Sequence, residues 1–105
     1  MTWFLVHRRN VRPPQEWTLS VDEHLAWMRQ QHEAGSILFS GLSGDRSLGI
    51  YVVRAGSRPE AEAIASTDPL TAAGLCAFDL IEWHVDQALG VGPFTASQVA
   101  ALAPG

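Results

Sequence analysis

Two residues of this chain invite a chemical reading first. His24 lies beside the apolar stripe of a helix-forming stretch, at its border. An imidazole titrates near neutral pH and can give or take a proton there. Its helical neighbours Trp27 and Met28 would serve as pocket walls. Position alone favours a boundary histidine that merely makes a hydrogen bond. Asp68 directly precedes Pro69, where an aspartate is commonly a turn former. A carboxylate in contact with His24 would fix its tautomer and favour the charged ring. The sequence pattern leaves that contact open.

The remaining polar residues point elsewhere. His32 stands two turns beyond His24, about 12 Å along a helix axis, so one metal could not take both. His7 and His84 end strands and read as surface groups, and Cys76 reads as a small core residue. No His, Cys, Asp and Glu cluster has metal-ligand spacing. Gly41-Leu-Ser-Gly44 lacks the lysine and the helix of a phosphate loop. Ser40 and Ser43, beside Gly41, could donate hydrogen bonds to a ligand, although serine is also an ordinary loop residue. No cofactor is expected.

Bulk composition narrows the partners. The chain has 105 residues, is 47% hydrophobic and 17% charged, and carries a formal net charge of -4. That is enough apolar material for one domain. Lysine is absent, so all basic groups are arginine, with Arg8, Arg9 and Arg12 forming the nearest thing to a basic cluster. Such arginines are expected to be solvated, or else to meet an anionic ligand at a pocket mouth. Nucleic acid is not expected, because it needs an extended positive surface. The opening residues lack a charged-then-apolar leader, a single cysteine forbids an internal disulfide, and no apolar run approaches the roughly 20 residues of a membrane span. The expectation is a cytoplasmic protein.

The elements that must position these residues follow from periodicity and turn chemistry. Residues 2–7 read as a strand, and the loop after it holds Pro13-Pro14. Ser20 and Glu23 have capping-box spacing before a helix over 21–34 that Gly35 stops, with Val21, Leu25, Met28 and His32 along one stripe. Strands at 36–40 and 47–54 flank a turn at Gly41, Gly44 and Asp45. Ser57 and Glu60 repeat the capping spacing before a second helix, which Asp68-Pro69 ends. A tight connection over 69–74 leads to a last strand over 75–84. The order β-α-β-β-α-β is the ferredoxin-like α+β pattern: a four-stranded antiparallel sheet with two helices on one face. The expected division is a domain over residues 1–88 and a tail over 89–105.

A sheet with one wet face alternates apolar and polar residues, but these strands are apolar on both sides. Leu48, Ile50 and Val52 oppose Tyr51 and Val53; Trp3 and Leu5 oppose Phe4 and Val6; Phe78 and Leu80 oppose Ile81 and Trp83. Two helices cover one face only. A second copy packed sheet to sheet is the economical cover for the other, and the rival is the tail, with Phe94 as its anchor.

His24-Leu25-Ala26-Trp27-Met28, the turn Ser40-Gly41-Leu42, the run from Asp68-Pro69 to Gly74-Leu75, and Glu82-Trp83 closing the last strand occur in order across residues 2–85. In this the chain resembles YCII-related domains. It departs from their pattern at Leu42, Leu70 and Glu82. The resemblance implies a dimeric α/β barrel and a site built on a His-Asp pair, here His24 and Asp68, with Trp27, Ser40 and Gly41 near the substrate. It further implies cofactor-free lyase or isomerase chemistry on a small cyclic or lactone-like acid. The alternative is a non-catalytic dimeric module that binds a small ligand or stabilises a partner.

Overall fold

Residues Thr2–Asn10 form β1 in the computed structural model, which describes residues 2–85. The expected tail, with Phe94, lies outside the described residues. β1 runs three residues beyond the sequence expectation, and those three include Arg8. A 3-10 turn at Pro14–Glu16 leads into α1 (Ser20–Glu33), followed by β2 (Ile37–Leu42) and β3 (Leu48–Ala55). Then come α2 (Arg58–Ser66), a short α3 (Pro69–Ala72) where a plain connection was expected, and β4 (Cys76–Trp83).

The strands order as β2-β3-β1-β4, each antiparallel to its neighbours, which is the ferredoxin-like α+β arrangement. The register places Phe4 opposite Val53, Val6 opposite Tyr51 and Arg8 opposite Gly49. This period-two set faces the helices. Phe4, Val6, Tyr51 and Val53 are buried there against Trp27, Ala61 and Ala65. The small Ala61 and Ala65 let α2 lie close to the sheet.

α1 is rotated from the expected orientation. Trp27 is its buried residue, while Val21 and Leu25 of the expected core stripe are exposed. His24 and Trp27, three apart on the helix, therefore share the inward side. The Ser20 capping box does not form. Leu19 occupies the cap with helical angles, and Ser20 is already inside the helix, because Ser20 and Val21 donate their amides back to the Trp17 carbonyl. The second cap does form: Ser57 accepts from the Glu60 amide at 3.3 Å. Gly74, at φ 75, ends α3 in a double hydrogen-bonded stop, its amide on Thr71 and that of Leu75 on Leu70. A side chain there would strain the backbone.

The sheet face away from the helices carries Phe39, Ile81 and Trp83, all exposed in the single chain. Among the described residues, no helix is long and apolar enough to cross a membrane.

Candidate functional site

The site grows from the junction of α2 and α3. Pro69 drives the residue before it out of helical angles, and Asp68 accordingly sits at φ -55, ψ 123. From there its side chain caps α3, with Oδ1 accepting from the Leu70 amide at 3.1 Å. The same oxygen meets Nδ1 of His24 at 2.7 Å, and Oδ2 accepts from Nη1 of Arg8 at 3.3 Å. Asp68 is completely buried and Arg8 is 5% exposed. Both ends of the carboxylate are thus satisfied inside the protein, as a buried charge requires.

Nη1 of Arg8 also lies 3.3 Å from Nε2 of His24. A guanidinium has no lone pair to offer, so Nε2 is the acceptor in that contact. Nδ1 then carries the ring proton and donates it to Asp68. The arrangement selects the neutral imidazole with its basic nitrogen at Nε2. The His24 ring stacks on Trp27, with centroids 6.3 Å apart. Trp27 is held in turn by its Nε1 donating to Thr67 Oγ1 at 3.0 Å and by an edge contact with Tyr51.

A cavity of about 420 Å³ opens on this group, lined by Arg8 and His24, by Leu25 and Met28 of α1, by Ser40 and Gly41 of β2, by Arg46, and by Ile50, Tyr51 and Leu70. Its size suits a single-ring ligand. Desolvation pushes the Tyr51 hydroxyl above its ordinary value, so it stays protonated at neutral pH. Burial likewise pushes the Cys76 thiol up, away from reactivity.

The structure brings His24 and Asp68 into contact and puts His24, Ser40 and Gly41 on the cavity wall. Ser40 has a partner already, since its Oγ is 2.8 Å from His32 Nε2. Trp27 does not line the cavity; it is core, backing His24. Arg8, expected with Arg9 and Arg12 on the surface, is instead the third member of the buried group. Its Cα neighbour across the ladder is Gly49, where a Cβ would fall 2.6 Å from Nη2. The glycine makes room for the guanidinium. The alternation of Phe4, Val6 and Arg8 was the signal that could have found it. Among the described residues, no group of His, Cys, Asp and Glu is placed to hold a metal.

A family model for the YCII-related domain matches residues 2–84. The chain belongs to this family. Among solved structures, this YCII-related chain is similar to a 5-chloro-2-hydroxyhydroquinone dehydrochlorinase of Burkholderia phenoliruptrix in complex with 2,5-dihydroxybenzoquinone. The TM-score is 0.63 and the identity 25%, over 77% of this chain and 92% of that one. No curated protein sequence matches significantly.

Proposed function

We propose that the YCII-related chain is a cofactor-free lyase or isomerase acting on a small cyclic or lactone-like acid. The supporting observation is the His24 ring at the cavity wall, hydrogen-bonded to buried Asp68 through Nδ1, with Nε2 unprotonated and accepting from Arg8. As the ligand carbonyl takes over the Arg8 Nη1 hydrogen bond, the Nε2 lone pair is released and takes a proton from the ring carbon next to that carbonyl. The C–H pair moves into the carbonyl to give an enolate, whose oxygen lies beside the Arg8 guanidinium. Collapse of the enolate expels a leaving group with its bonding pair, or takes the proton back at another carbon. Asp68 stabilises the imidazolium formed in between, and Arg8 offsets the charge on oxygen. The similarity to a dehydrochlorinase supports the elimination branch.

The test is chloride release, and ultraviolet-detected isomerisation, over chlorinated hydroxyhydroquinones and five-membered lactone acids. For a substrate that turns over, His24→Gln is expected to lower kcat at least 100-fold, in the range of a lost general base. A variant that keeps the native rate would remove His24 from the chemistry, and a native chain that turns over none of these compounds would favour a non-catalytic binding module.

A further inference from the structure

The floor and the rim of the cavity differ in charge. At the floor, Arg8 and Asp68 lie 3.3 Å apart and their charges cancel, and His24 is neutral in the tautomer that Arg8 imposes. At the rim stands Arg46, exposed, lining both this cavity and an adjoining one of about 250 Å³. No carboxylate pairs with it among the described residues. The nearest in sequence, Asp45, has its Oδ1 occupied by the Ser43 and Ser47 hydroxyls and the Ser47 amide.

The backbone at Arg46 adds a second observation. Its φ is 64, the single positive value outside glycine among the described residues. Arg46 closes the β2–β3 turn, with its amide on the Ser43 carbonyl at 2.8 Å, in a left-handed position where glycine is the ordinary occupant. Gly44 lies two residues earlier in the same turn but does not take that position. The chain keeps a strained arginine where an unstrained residue would close the same turn.

We infer that Arg46 sets the charge of the ligand: it holds an anionic group at the rim, while the opposite end of the ring reaches His24. With the floor neutral, Arg46 is the one uncompensated cation in the cavity lining among the described residues. In the resting site a ligand anion is matched there rather than at the floor, where Arg8 meets only the charge that develops during the reaction. This inference rests on the reading of the cavity as the substrate site for a small cyclic acid, and it names the residue that holds the charge of that acid.

The test compares calorimetric binding of 2,5-dihydroxybenzoquinone, a vinylogous acid ionised at neutral pH, with its uncharged 2,5-dimethoxy analogue. The native chain should prefer the anion, and Arg46→Gln should lose about tenfold on the anion and nothing on the neutral compound. Arg46→Gly should lose the same affinity while its Tm rises by about 3 °C, because the left-handed strain is relieved against a smaller entropic penalty. Arg46→Lys, which keeps the charge, should retain part of the preference. A native chain with no preference for the anion, or an Arg46→Gln chain that keeps it, overturns the inference. If Arg46→Gln loses the anion while His24→Gln turns over at the native rate, the charge assignment stands and the proposed chemistry falls.

Discussion

Asp68 holds two cations-in-waiting with one carboxylate: a permanent charge on Arg8 and a prospective one on His24. Replacing it with asparagine leaves Arg8 buried and uncompensated, so Asp68→Asn should destabilise the fold by about 3–5 kcal/mol, read as a lower midpoint in urea at unchanged slope. An unchanged midpoint would mean that Arg8 finds water or another partner. Gly49→Ala tests the same group from the opposite side. Its Cβ would meet Arg8 Nη2 at 2.6 Å, and overpacking of this kind costs about 1–3 kcal/mol. At this scale His24 stood out as a helix-border histidine and Asp68 as an Asp-Pro step, but their pairing came from the family resemblance and not from the local pattern. Arg8 did not stand out. Its burial depends on β1 extending past His7 and on Gly49 of a strand far along the chain, and neither is written near Arg8.

At the scale of elements, α1 shows where pattern reasoning stops. Val21, Leu25 and Met28 have the spacing of a core-facing stripe, yet Val21 and Leu25 are exposed and all three edge the cavity. The helix turns to satisfy the His24–Asp68 bond and the Trp27–Thr67 bond, both set by a junction 40 or more residues away. The order of elements along the chain, the antiparallel sheet and the second helix followed the sequence expectation because alternation, Ser57 capping and Pro69 are strong local instructions. The β2–β3 turn makes its own prediction. Hydrogen bonds from Ser47, and then from Ser43, hold the Asp45 carboxyl down at about 2 from an ordinary 3.8. Since its folded value is depressed, its stabilising effect is complete above pH 3.8 and is lost as pH falls through about 2. Carboxyl NMR of Asp45 should titrate near 2, with the amide of Ser47 losing protection in the same window. A titration near 3.8 would mean that the turn does not hold its aspartate in solution.

At the scale of the molecule, the sheet face away from the helices leaves Phe39 at 69%, Ile81 at 46% and Trp83 at 42% exposure in the single chain. Aromatic and branched side chains in such a cluster normally meet a partner surface. We propose that a second copy covers them, sheet against sheet, in a two-fold dimer. Sedimentation equilibrium at micromolar concentration should give twice the chain mass of 11.4 kDa. Phe39→Asp or Trp83→Asp should then shift the equilibrium towards monomer. A native monomer would hand that face to the tail instead.

Asp68 and Arg8 together fix the tautomer of His24, so that Nε2 is the unprotonated nitrogen at the cavity wall. Nitrogen-15 NMR of the His24 ring at neutral pH measures this directly. The account predicts a protonated Nδ1 and an unprotonated Nε2, with the assignment scrambled in Asp68→Asn and Nε2 perturbed when 2,5-dihydroxybenzoquinone binds. A ring protonated at Nε2, with Nδ1 bare, would contradict it.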